Sequence, residues 1–175
     1  PSVIYDPNIA LAALARFDLH TGGTGIDAVL HQLLDHRCGT LDHLTGSDLQ
    51  RLPVAAGQFF HIRFLRRGGW WRPHPFSISA APNGEYLRLT IKDLGDDSHR
   101  MMTMPVGTPV FIEGPYGAFT PRVVNRDHVV MIGGGVGVTP LRSIFEALPR
   151  GEQHITFLYR EGDAADTIFR EELHA

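Results

Sequence analysis

Residues 128–140 read His-Val-Val-Met-Ile-Gly-Gly-Gly-Val-Gly-Val-Thr-Pro, which sets a short hydrophobic strand directly against a glycine loop and a helix start. An apolar run without polar alternation suits a strand buried on both faces. The glycines that follow let the backbone turn sharply and let a bulky anion come close to its amides. Thr139 is placed to cap the helix and Pro140 to occupy its first turn. A plain strand-to-helix turn uses glycine too. The strand before, the helix after and Thr-Pro at the join favour a dinucleotide pyrophosphate site at Gly133, Gly134, Gly135, Gly137 and Thr139. The GxGxxG fingerprint is not met, because Val138 stands where its third glycine would fall.

Downstream, the pattern predicts a helix over 139–148, a strand over 154–159 and a helix over 166–174. Together with the strand at 128–132 this is βαβα, the opening of a parallel nucleotide-binding sheet. Upstream the character differs. Runs at 58–65, 75–80, 85–92 and 109–113 alternate apolar and polar residues, and Pro82-Asn83-Gly84 supplies a hairpin turn. Such runs predict a small antiparallel barrel or sandwich. At the N-terminus, residues 6–17 read as a helix opened by Asp6-Pro7 and broken by the glycine-rich run at 21–25. Apolar positions 26, 29, 30, 33 and 34 fit helical better than strand period.

Composition narrows the chemistry. A net charge of −3 with scattered basic residues gives no pull toward nucleic acid. The single Cys38 excludes an internal disulfide and a self-contained four-thiolate cluster, so an iron–sulfur acceptor must be another chain. Ten histidines follow no recognised ligand spacing, and no metal site is assigned. No apolar stretch near the N-terminus approaches the ~20 residues needed to span a bilayer.

Four motifs in fixed order carry a resemblance. The string at 133–140, with Leu141 and Ile144 behind it, resembles the nicotinamide-nucleotide signature of the ferredoxin–NADP reductase superfamily. Arg72-Pro73-His74-Pro75-Phe76-Ser77 resembles its flavin signature, in the form seen in ferric reductases and the dehydrogenase half of NADPH oxidases. Gly95-Asp96-Asp97-Ser98 is similar to the loop that holds the FAD pyrophosphate, and Glu113-Gly114-Pro115-Tyr116-Gly117 to the segment that closes the flavin domain. Gly57-Gln58-Phe59-Phe60 is similar to the usual entry into a barrel strand. Gly68-Gly69-Trp70-Trp71 is more simply a packed loop than an aromatic platform.

The resemblance implies a β plus α/β fold, an antiparallel Greek-key flavin-binding barrel followed by a truncated parallel α/β domain. Its expected divisions are an N-terminal extension over 1–25, an FAD-binding barrel over 26–124 and a partial NAD(P)-binding domain over 125–175. The first two barrel strands would fall within 26–46, with 40–45 the better candidate. The family's late Cys-Gly-Pro motif is missing, so the sequence reads as a piece of a longer chain or one completed by a partner.

The implied catalytic residue is Ser77, hydrogen-bonding near flavin N5, with Phe76 against the isoalloxazine ring. Arg72, His74, Pro75, Lys92, Gly95, Ser98, Gly114 and Tyr116 would complete the FAD contacts. His74 stands where many members have arginine, so its hold on phosphate depends on protonation, with Arg72 in support. Asp96 and Asp97 must point away from a diphosphate. At the end of the second strand of the βαβ unit, Arg160 favours the 2′-phosphate of NADPH, against Glu161 and Asp163, which favour a free ribose. The implied function is an FAD-dependent NAD(P)H oxidoreductase module. It would feed haem, ferric iron or an iron–sulfur partner, with a redox protein or a haem-bearing membrane domain of a longer chain as partner. It would lie in the cytoplasm or on the cytoplasmic side of a membrane-bound reductase. The competing reading is a non-catalytic flavin-binding or regulatory subunit.

Overall fold

Along β3 (Phe59–Phe64) every second residue is buried, so the alternation in the sequence becomes one inward face of Phe60, Ile62 and Phe64. A computed structural model describes residues 13–22, 25–32, 53–65, 72–105, 107–149, 151, 153–162 and 167–174. The same alternation buries Leu87, Leu89 and Ile91 of β5 (Tyr86–Ile91). Val110 and Ile112 of β6 (Thr108–Tyr116) join them in one core with Ile78 and Met101. Each such side chain contributes about 1.5–3 kcal/mol relative to exposure, which is what holds the sheet curled around them.

The sheet also contains β1 (Ala13–Gly22), β2 (Gly25–Gln32) and β4 (His74–Ser77), in the order β4-β3-β6-β1-β2-β5, all antiparallel. Its outer strands meet through a bridge between Ile78 and Leu89, with Ser79 N donating to Arg88 O at 2.7 Å. The sheet therefore bends back on itself. A short helix, α1 (Asp96–Met102), follows β5 and seats Met101 on the core.

Three sequence expectations are corrected here. Residues 13–17 lie in a strand, not in the helix expected over 6–17; residues 6–12 fall outside the described residues. The segment from 26 also runs as a strand, β2, to Gln32. Both strands are hydrogen-bonded on both sides, β1 to β2 and β6, β2 to β1 and β5. That many ladder bonds override a weak local helical period. The sheet consequently takes in residues 13–22, which the expected 1–25 extension had left out. Among the described residues the first two strands thus lie at 13–22 and 25–32; the 40–45 candidate and the Trp70-Trp71 loop fall outside the described residues.

The second unit follows the expected order. β7 (His128–Gly134) pairs in parallel with β8 (His154–Arg160), from His128 opposite His154 to Gly134 opposite Arg160. Helix α2 (Val138–Ala147) covers one face, where Met131, Leu141, Ile144 and Leu148 form a second core. Val130, Ile132 and Leu158 are exposed by half or more on the other face. Helix α3 (Arg170–His174) is shorter than the expected 166–174, of which 166 lies outside the described residues.

A seam of polar links ties the two units. Gly57 N donates to Ser143 Oγ at 2.9 Å, and Ala81 N to Glu146 Oε2 at 2.7 Å. Arg142 donates to Ser79 O, and Arg88 clasps Glu172 at 2.8 and 2.9 Å. Lys92 Nζ lies 3.2 Å from Glu161 Oε1. Ala56, from the turn that enters β3, sits inside the second core.

Candidate functional site

Where the edge strand β4, the start of α1 and the glycine loop converge, they enclose a cavity of about 290 Å³. His74, Pro75, Phe76, Ser77, Lys92, Ser98 and Thr139 line it, so three motifs separated in sequence meet in space. Thr90, Ile91, Leu94, Asp97, Met101 and Val136 complete the wall. Its apolar members suit a flat aromatic ring, and its polar members suit that ring's hydrogen-bonding edge.

Strand pairing sets the directions of the flavin motif. Phe76 pairs with Phe60 and His74 with Ile62, so both share the inward face of β3, and Phe76 packs against the core. Pro75 pairs with His61 and Ser77 with Phe59 on the opposite face. Because β4 is an edge strand, all four still border the cavity. Burial, more than the charge of Arg72, holds the His74 imidazole below its ordinary pKa, with Asp97 opposing. This favours the neutral imidazole of His74 over the charged one.

Asp97 lies 3.5 Å from Arg72 and 3.7 Å from Arg100, so two guanidiniums offset the acid that would repel a diphosphate. Gly95 adopts φ 157 and ψ −173, a conformation open essentially to glycine alone, and a Cβ there would meet nothing within 4 Å. The Ser98 hydroxyl accepts from the amides of Leu94 (2.8 Å) and Gly95 (3.0 Å) and donates to Gly95 O (2.9 Å). It shapes the loop from within.

The glycine loop departs from its expected capping. Gly137, not Thr139, is the N-cap of α2, no side chain caps the helix, and Thr139 lies buried in the first turn. No side chain competes for this helix start, but the Val138 amide already donates to Gly135 O and Val136 O and Pro140 has no N–H, so an anion here would depend on the preceding loop as well. The glycines divide by need. A Cβ on Gly133 would meet Leu141 Cδ1 at 2.9 Å, and Gly135 has φ 52. Gly137 has an ordinary φ of −66 and nothing within 4 Å of a Cβ, so neither strain nor packing demands glycine there. That open approach beside a helix start fits a nucleotide phosphate.

Among the sequence candidates, Arg72, Gly95, Gly133, Gly134, Gly135 and Gly137 stand close in the chain to lining residues without lining the cavity themselves, and Gly114, Tyr116 and Arg160 lie elsewhere. Gly114 packs on Phe60, since a Cβ would meet its Cδ1 at 2.8 Å, and its peptide to Pro115 is cis. Tyr116 shares a row with Phe59 and donates its hydroxyl to Glu113 at 2.6 Å. Arg160 ends β8 level with Gly134 and is exposed, while the adjacent Glu161 turns to Lys92. The sequence reading missed Arg142 and Glu172. A basic residue among Leu141, Ile144 and Phe145 was the available signal, but its acidic partner 30 positions on was not readable.

Among the described residues no group of three metal-ligating side chains comes together, and no helix is long and apolar enough to cross a membrane.

Comparison with known proteins agrees with this geometry. An FAD-binding domain model matches residues 39–120. The flavohemoprotein of Chromobacterium violaceum is 32% identical over 136 residues, covering 70% of this chain and 34% of the relative. A superoxide-generating NADPH oxidase heavy chain of Dictyostelium discoideum is 30% identical over 117 residues, 55% of this chain and 22% of that one. The chain thus spans about a third or less of the length of these curated relatives. Among solved structures, the flavohem-like FAD/NAD binding domain of nitric oxide dioxygenase from Vibrio cholerae superposes with a TM-score of 0.66 at 24% identity, over 91% of this chain and 68% of that one. A ferredoxin NADP+ reductase from Neisseria gonorrhoeae with bound FAD and NADP gives 0.69 at 19% identity, over 94% and 63%.

Proposed function

Because the chain belongs to the ferredoxin–NADP reductase superfamily through its FAD-binding domain, we propose that it is the electron-input module of an NAD(P)H-dependent flavoprotein. The observation that carries this reading is the cavity in which the flavin motif, the Gly95–Ser98 loop and the glycine loop face one another. We read the curled six-stranded sheet as the superfamily's Greek-key barrel, ending near residue 124, with a nucleotide-binding α/β unit after it. The acceptor is a one-electron centre, haem, ferric iron or an iron–sulfur protein, and we place the module on the cytoplasmic side of any membrane partner.

The residues present fit FAD. Phe76, Ile91, Leu94 and Met101 offer an apolar wall for the ring system, Ser77 a hydroxyl for its edge, and Lys92 a charge for phosphate. When bound, FAD supplies the step between two-electron donation by the nicotinamide and one-electron release to the acceptor. The chain's own part is positional. The seam fixes β4 relative to the glycine loop, so the two ligands are held face to face, and such orientation is the main catalytic contribution available. Arg160 is assigned to the 2′-phosphate of NADPH.

Protein purified with added FAD is expected to be yellow, and anaerobic NADPH to bleach it. A colourless protein that takes up no FAD would overturn the proposal, and a yellow one that stays oxidised would favour a non-catalytic flavin binder. Gly137→Ala separates structure from function. Folding stability should hold or rise by up to about 1 kcal/mol, since Ala restricts the unfolded chain. NADPH-driven flavin reduction should slow at least about tenfold as the Cβ meets the phosphate. Unchanged reduction kinetics would remove Gly137 from the nucleotide site.

A further inference from the structure

Among the described residues that line the cavity, Lys92 is the one side chain with a full positive charge. That charge is already engaged. Glu161 reaches it from just beyond β8, across the seam, at 3.2 Å. The same carboxylate accepts from the Tyr159 hydroxyl at 3.1 Å and from the Gly162 amide at 3.2 Å. The side chains of Lys92 and Glu161 are only 20% and 12% exposed, so solvent ions screen the pair in part only. The Gly162 amide, then Lys92, hold the Glu161 carboxyl below its ordinary range, which leaves it ionised at neutral pH. The negative charge of Asp97 is offset by Arg72 and Arg100, which flank it at 3.5 and 3.7 Å.

An anion entering this cavity therefore meets a lysine that already holds an anion. We propose that Glu161 is a built-in competitor for phosphate, which must give up Lys92 before the diphosphate of a nucleotide engages that ammonium. The inference rests on reading the cavity as a nucleotide site. Exchange of a single carboxylate charge for a diphosphate favours ligands that bring more than one negative charge to Lys92 over those that bring only one. It also weakens the hold on the bound nucleotide, which hastens its release. The competitor comes from the nucleotide unit and the lysine from the flavin sheet, so displacement loosens one seam link.

The test is calorimetric titration of the full chain with inorganic pyrophosphate. Glu161→Gln removes the charge while its one amide oxygen still accepts from the Gly162 amide and its NH2 can donate to the Tyr159 hydroxyl, and it should bind pyrophosphate about fivefold more tightly or better, the scale of a partly screened ion pair. Lys92→Met should lose that binding, and Glu161→Gln should then add nothing on the Lys92→Met background. Parallel titrations with FAD, followed by flavin fluorescence, and with NADP+ show whose diphosphate Lys92 takes, because only that ligand gains. Equal or weaker pyrophosphate binding by a Glu161→Gln variant with an unchanged thermal midpoint overturns the proposal. So does an equal gain without Lys92, or no pyrophosphate binding by any variant. Should Glu161→Gln fail to fold, Glu161→Asp is read in its place, its carboxylate one methylene short of Lys92. A protein that takes neither FAD nor NADP+ defeats the functional reading, while the pyrophosphate comparison still decides this one.

Discussion

Gly57→Ala is expected to destabilise the protein by at least about 3 kcal/mol, as αL strain on a non-glycine residue adds to overpacking. Gly57 has φ 85, and a Cβ there would lie 2.1 Å from Phe119 O and 2.7 Å from Ile144 Cδ1. The first neighbour is backbone and cannot yield cheaply. The second belongs to the core under α2, and its retreat opens that core. Either movement also strains the bond from Gly57 N to Ser143 Oγ. Urea unfolding reads the loss as a lower midpoint at unchanged slope. A wild-type midpoint would mean that this turn is not seated against α2.

Arg142→Met should cost about 2–3 kcal/mol, at the lower end for a broken buried ion pair, because Glu172 is about one-third exposed and keeps Arg88. Arg142 is buried, donates to Ser79 O and Glu146, and pairs with Glu172, while its guanidinium lies 5.7 Å from the Phe169 ring centroid. The loss depends on pH in a definite direction. The Arg88 hydrogen bond first, against burial and with the help of Arg142, lowers the Glu172 pKa below its ordinary value. A carboxyl depressed in the folded state stabilises the protein above the unfolded value of about 4.3 and loses that contribution as pH falls through the folded value. The gap between wild type and variant should thus be wide at about pH 7 and narrow at about pH 3. A gap that does not change with pH would show that packing, not charge, is what Arg142 contributes.

The sequence revealed most where local pattern and burial coincide. Alternation marked β3 and β5 because each presents one face to one core, and the glycine loop marked β7 and α2 because only glycine turns so sharply there. It misled at the N-terminus. Positions 26, 28 and 30 do alternate in the register that pairs them with Ile91, Leu89 and Leu87, but in the sequence Val29 and Leu33 fall out of that phase and, with Leu34, imitate a helical stripe. Only pairing resolves the ambiguity, locally with β1 across a hairpin and over a long sequence separation with β5. The site shows the same division. His74 to Ser77, Ser98 and Thr139 were legible as motif residues, and the structure gathers them. Tyr116 and Gly114 carried the same kind of signal but lie in β6 outside the cavity lining, because a motif does not say which face of a strand its residues occupy. The seam was invisible, since each of its links joins residues 60 or more positions apart.

Ala56 belongs to one unit by its place in the chain and to the other by its packing. Exchange of halves between relatives at the loop near residue 125 would carry Met131, Leu141 and Ile144 away from the methyl group they close upon, and Ser143 away from the amide it holds. What recombination can pass on intact is therefore the matched pair of halves, and divergence in one constrains divergence in the other.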